Sequence, residues 1–218
     1  MTRILVVIGT PLADSLNHAL AHAYIDAART AGAQVDVVDL ARDAIPEHPA
    51  VRQDLRVPRT DDDPTLDAAI AAHVARIDAA DHLALFFPQW WGTYPAAFKS
   101  WIDRAILSGS AFRYKDGRGW AKLLTGRTAR IVMTMDSPRW WNWWMYRDAA
   151  VRALKVATLW YVGVTTVGVE RIPEVRHASP ARLERSVASM ARLGKADALR
   201  TPSPSITRAA DRVPAASA

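Results

Sequence analysis

Two short stretches of this chain, Ile4–Ile8 and His82–Phe87, are apolar at nearly every position. A strand with one face in water alternates apolar and polar residues. A continuous run needs cover on both faces, as inner strands of a parallel sheet have. Between these runs, Leu16–Ala31 has helical composition and stops at Gly32, and Gln34–Asp39 alternates like a strand. Residues 41–63 are irregular and, with Pro64, carry Pro46, Pro49 and Pro58, so a long surface connection is expected, its acidic run Asp61–Asp63 solvated. Further along, Leu66–Ala79, Ala96–Leu107, Asp148–Thr158 and Ala181–Leu199 read as helices, and Ala129–Thr134 and Val164–Val169 as strands. Strand and helix in turn imply βαβ units and an α/β fold. The expected architecture is a doubly wound five-stranded parallel sheet of order 2-1-3-4-5. Its domain spans residues 1–199, and residues 200–218, with low hydrophobicity and three prolines, are expected to be a disordered tail.

Ligands of such sheets bind outside the carboxyl ends of the strands, near the point where strand order reverses. Three loops should meet there, and each has an unusual composition. The first, Gly9 to Asn17, places Ser15 at a helix start, where its hydroxyl and the first amides suit an anion such as phosphate; plain capping is the alternative. It contains neither GxGxxG nor a P-loop, which disfavours a Rossmann dinucleotide site or a nucleoside triphosphatase. The second, Pro88-Gln89-Trp90-Trp91-Gly92-Thr93-Tyr94-Pro95, offers indole faces, backbone amides and a side-chain amide to a flat aromatic ligand. A single tryptophan there reads as core or dimer contact; two between proline and glycine favour a site. The third, Thr134-Met135-Asp136-Ser137-Pro138, runs into RWWNWWMY, ending at Tyr146. Four tryptophans within five residues can roof a pocket, close a dimer or rest on a membrane surface, and burial in a homodimer is the most economical of these.

Other chemistries are poorly supplied. The chain has no cysteine, which excludes disulfides and thiolate chemistry and fits a cytoplasmic location. His18 and His22 lie four apart on a helix without further ligands, so no metal is expected. No GxSxG elbow is present. Charge is uneven: residues 1–100 hold 8 Lys and Arg against 13 Asp and Glu, and residues 101–218 hold 20 against 9. The basic half comes without a recognition motif, so no nucleic-acid partner is expected.

These residues together resemble the flavodoxin-like NAD(P)H:quinone oxidoreductases, the diaphorase-type flavoproteins, and their bacterial NAD(P)H-dependent branch. Ser15-Leu-Asn17 is similar to the family's phosphate-binding turn, Pro88–Gly92 to the loop along the isoalloxazine ring, and Gly126–Pro138 to the fourth strand and its flavin-contacting turn. The resemblance implies a flavodoxin-like fold, bound FMN or FAD, NAD(P)H as co-substrate, and two-electron, ping-pong transfer to a quinone-like acceptor. The cofactor-binding set it implies is Ser15, Asn17, Pro88, Gln89, Trp90, Trp91, Gly92, Thr134, Met135, Asp136 and Ser137. Two features depart from the better-known quinone reductases: Thr134-Met-Asp136 stands where they have Thr-Gly-Gly, and no histidine matches their quinone-pocket residue. Tyr146 is the one candidate for a catalytic side chain. Two alternatives share the resemblance: a one-electron flavodoxin carrier, and an ancillary subunit of a membrane transport system, which would bring peripheral membrane contact.

Overall fold

The computed structural model describes residues 1–43, 48–60 and 62–211. Strands β1 (Arg3–Ile8), β2 (Gln34–Asp39), β3 (His82–Pro88), β6 (Thr128–Thr134) and β7 (Thr165–Ile172) form one sheet in the order β2-β1-β3-β6-β7. All its neighbours are parallel, so the expected order is observed, the fourth and fifth strands being β6 and β7.

The period of two along each strand builds two cores. Leu5, Val7, Leu83, Leu85, Phe87, Ile131 and Met133 face α2 (Ala68–Ala79), α3 (Ala96–Ala105) and α5 (Ala149–Arg152) with its π-helical continuation Ala153–Trp160. On the other face, Ile4, Val6, Ile8, Ala84, Phe86 and Val132 pack against α1 (Leu16–Thr30) and α6 (Pro180–Ala198). The edge strand β2 is only partly buried, as its alternation required.

Three elements exceed the sequence reading. An antiparallel hairpin, β4 (Phe112–Tyr114) and β5 (Trp120–Lys122), stands between α3 and β6. Its strands are too short to show a period, although Asp116-Gly117 is a turn signal. Helix α4 (Arg139–Trp144) occupies the tryptophan run, and α5 widens into a π-helix. In the connection before α2, Asp63 is not free in solvent: Arg56 holds it with bonds of 2.6 and 2.7 Å and keeps its carboxyl well below the usual range. Asp61 lies outside the described residues. In the tail, expected from residue 200 to be disordered, Arg208 donates to Asp81 (2.6 Å) and to the Asp78 carbonyl (2.6 Å). Residues 212–218 lie outside the described residues.

A buried polar cluster closes the amino-terminal side of the sheet, away from the loops discussed below. Asp197 of α6, fully buried, accepts from Arg130 Nη2 (3.0 Å), Tyr24 Oη (3.0 Å) and Arg200 Nε (2.9 Å). His82 Nε2 lies 3.3 Å from the same carboxylate. Burial pushes the His82 imidazole below its ordinary value, and Asp197 only partly opposes it because Arg130 and Arg200 already neutralise that charge. An unfolded histidine takes its proton near pH 6.5, before the folded one does, so the unfolded state binds more protons below that pH. Stability is therefore expected to fall as pH drops from 7 towards the lower folded value, by up to about 1.4 kcal/mol per unit. Urea midpoints at pH 7.5 and 5.5 test this: His82→Gln should flatten the slope, and an unchanged slope would place the titration elsewhere.

Candidate functional site

At the carboxyl end of β1 the chain leaves the sheet at Gly9, where a Cβ would meet the Phe98 ring at 2.7 Å. That ring is fully buried between Phe87, Tyr94 and Trp101, so the turn reaches α1 only because residue 9 has no side chain. Ser15 is the N-cap of α1. Two residues later Asn17, 3% exposed, donates from Nδ2 to Thr134 Oγ1 at 3.0 Å. The serine turn is thereby tied to the end of β6. Its Oδ1 is buried without a hydrogen-bond partner. Turning the amide would exchange the two ends and leave an N–H over instead, so this asparagine holds a polar group in reserve at the sheet's carboxyl edge.

The loop after β3 is a tight turn. Trp90 and Thr93 exchange backbone bonds of 2.8 and 2.9 Å around Trp91 and Gly92, whose φ angles are 51° and 76°. Two positive φ values in succession belong to the primed hairpin turns, where glycine is at ease and tryptophan is not. Trp91 nevertheless occupies the first, with its side chain 100% exposed. Holding a bulky residue left-handed costs about 1–2 kcal/mol. Neither burial nor packing returns that cost within the chain.

Gln89 stands differently from the sequence expectation. Its Nε2 donates to Asn142 Oδ1 at 2.6 Å, its Oε1 accepts from Ser137 Oγ at 3.3 Å, and its backbone N–H bonds the Thr134 carbonyl at 2.7 Å. The side chain is thus committed to the protein, locking the β3 loop to the β6 loop. Asn142, 1% exposed, passes the chain on to Asp148 (2.8 Å), which pairs with Arg171 of β7. Sequence reading missed Asn142, Asp148 and Arg171; the one hint was a lone amide in the middle of WWNWW.

Of the remaining predicted residues, Pro88 ends β3 in register with Thr134. Met135 sends its side chain into the core and offers the loop only its backbone, itself bonded to Ile172 and Val175. Asp136 is exposed and accepts from the Arg176 amide (3.0 Å). Tyr146 packs over the turn: a Cβ on Gly92 would sit 3.5 Å from its ring. The predicted residues therefore gather at one edge of the sheet, apart from the inward side chain of Met135. A cavity of about 670 Å³, lined among others by Arg52, Arg56, Arg59, Phe112 and Tyr114, includes none of them. Trp140, Trp143 and Trp144 are each at least 60% exposed. No group of metal-ligating side chains occurs among the described residues, and no helix there is long and apolar enough to cross a membrane.

An FMN-dependent NADH:quinone oxidoreductase of Alcanivorax borkumensis is 36% identical over 59% of this chain and 68% of its own length. One of the same name from Ruegeria pomeroyi is 32% identical over 62% and 70%. The structure of an FMN-dependent NADH-azoreductase from Bacillus anthracis in complex with FMN shares the fold, with a TM-score of 0.70 at 13% identity over 91% of this chain and all of that one. The model of the flavodoxin-like fold family Flavodoxin_2 matches residues 2–193. The chain, with its 2-1-3-4-5 sheet and three joined carboxyl-end loops, belongs to that family, among relatives of the NAD(P)H:quinone oxidoreductase kind.

Proposed function

We propose that this protein is a flavin-dependent oxidoreductase that takes two electrons from NADH and passes them to a quinone-like acceptor at one site, in ping-pong order. The observation that carries this reading is the bond from Asn17 to Thr134, which joins the serine turn to the end of β6 and leaves a buried, unpartnered amide oxygen at their junction. A phosphate offers only acceptors, so it would meet this group as an N–H, with the amide turned and its oxygen accepting from the Thr134 hydroxyl. FMN, the cofactor named for both quinone oxidoreductase relatives, fits the residues present.

Bound flavin supplies the hydride and electron chemistry. The chain's own work is binding and orientation. Ser15 and Asn17, at the positive end of α1, hold the phosphate. Trp90, Trp91 and Gly92 flank the ring with the turn's backbone, and Thr134 to Ser137 close its polar edge through backbone groups and the Thr134 and Ser137 hydroxyls. Trp91 and Tyr146 present aromatic faces to nicotinamide or acceptor. The exposed tryptophans of α4 are read as a contact between two copies of the chain, and the location as cytoplasmic.

A visible spectrum, repeated anaerobically after adding NADH, tests the reading. A yellow protein that bleaches supports it; a colourless one that takes up no added FMN overturns it. Trp91→Ala separates site from scaffold. Because the side chain is fully exposed, the unfolding free energy from urea titration should shift by less than about 0.5 kcal/mol. Loss of an aromatic contact worth about 0.5–1.5 kcal/mol should lower turnover of the flavin-loaded variant roughly two- to tenfold. Unchanged turnover would remove Trp91 from the site.

A further inference from the structure

Ser15 leans on a buried histidine that the flavin reading leaves idle. His18 is 3% exposed; its Nδ1 lies 2.9 Å from Ser15 Oγ and 3.3 Å from the Ser15 backbone nitrogen, and its Nε2 lies 3.1 Å from Asp39 Oδ1. These contacts fix the protons. A backbone N–H can only donate, so Nδ1 accepts and is bare; a carboxylate can only accept, so Nε2 carries the hydrogen. Ser15 Oγ, beside a bare Nδ1, therefore spends its single O–H on the imidazole. A phosphate offers acceptors alone, and in this arrangement Ser15 shows it nothing but lone pairs.

One added proton resolves the conflict. With Nδ1 protonated, the imidazole donates to Oγ, the hydroxyl hydrogen turns towards the ligand, and the Ser15 amide is released for the ligand too. The neutral tautomer with hydrogen on Nδ1 cannot substitute, because it would set a bare Nε2 against Asp39. We propose that His18 takes up a proton from solvent when a phosphate monoester binds at Ser15, making it the positioning residue that turns this serine from acceptor to donor. The proposal rests on the reading of Ser15 as a phosphate contact.

The surrounding charges are mixed. From β2 and the turn after it, Asp39 favours the imidazolium, Arg42 lies 3.4 Å from that same carboxylate, and Asp43 accepts from the Asp39 amide. On the helix side stand His22, edge-on at 6.3 Å between ring centres, and Asp14, paired with Arg42. An arriving phosphate adds negative charge on the open side and favours the proton further.

Calorimetric titration of flavin-free protein with FMN at pH 7.5, in two phosphate-free buffers of different ionisation enthalpy, counts the protons. A phosphate monoester, with its second pKa at about 6, is nearly fully ionised there and contributes little. The expected result is net proton uptake approaching one per FMN, with affinity weakening as pH rises, at most about tenfold per unit. Riboflavin, which lacks the phosphate, should show neither. His18→Asn, whose amide can donate to Ser15 without titrating, should bind FMN with no uptake and no pH slope. Ser15→Ala, which keeps His18 but removes the hydroxyl that it turns, should bind roughly 10- to 100-fold more weakly. FMN binding without proton uptake, or the same pH slope in His18→Asn as in the parent, would overturn the role of His18 while leaving the flavin site intact. Failure of the parent protein to bind FMN at all would overturn the underlying reading and this one with it.

Discussion

Asp197→Asn is expected to cost about 3–5 kcal/mol, the cost of breaking a buried ion pair and leaving its partner charge uncompensated. The partner is Arg130, 5% exposed, whose guanidinium crosses β7 at Gly168, where a Cβ would stand 2.1 Å from Nη1. With the carboxylate gone it retains Glu170, itself partly open to solvent. Set against a typical total of about 5–15 kcal/mol, such a loss leaves a marginal fold. Urea unfolding at pH 7.5 is the measurement, with Tyr24→Phe as the control for one hydrogen bond, worth about 0.5–1.5 kcal/mol. A cost for Asp197→Asn no larger than the control's would mean that Glu170 suffices. Burial alone would raise the Asp197 carboxyl; bonds from His82 and Arg130 hold it well below the usual range instead. Its stabilisation is thus present above the unfolded carboxyl value of about 3.9 and is lost only as pH falls through the lower folded value. The mildly acidic loss assigned to His82 comes first.

The second large effect is expected at Asn142. Replacement by leucine keeps the branching at Cγ but leaves the Gln89 amide without its acceptor and removes a donor from Asp148. Each buried polar group left unsatisfied costs about 1–3 kcal/mol. Much of that should appear as local opening, because α4 has six residues and only Asn142 of them is buried. Hydrogen exchange should quicken in the amides of Trp90, Thr93 and α4. FMN affinity should fall with it, since the turn bearing Trp91 is braced through Gln89. Unchanged exchange in that turn would mean that the bond from Gln89 N–H to the Thr134 carbonyl holds the loop alone.

The main sheet was legible because Ile4–Ile8 and His82–Phe87 cannot be satisfied in any half-exposed strand, and alternation then placed β2 at an edge. The three loops were legible because chain geometry concentrates unusual residues at strand ends. What the sequence hid is pairing at a distance. Gln89 and Asn142 lie 53 positions apart, and nothing local tells an amide that faces a ligand from one that faces another amide. Met135 looked like its loop neighbours, yet the strand's alternation carries on one residue past Thr134 and turns it inward. The hairpin strands, three residues each, are shorter than any period that could reveal them.

Arg130 and Asp197 are 67 residues apart, and that distance is also a delay. At about 5–20 residues per second, a ribosome needs roughly 3–13 s to reach the aspartate after making the arginine. By then β1, β2, β3 and β6 have all been made, and the face that packs on α6 still lacks its cover. During that interval part of the apolar face that bears Ile4, Val6, Phe86 and Val132 is uncovered and Arg130 has at most Glu170 as a partner, so this is the stage at which the nascent chain is most open to aggregation.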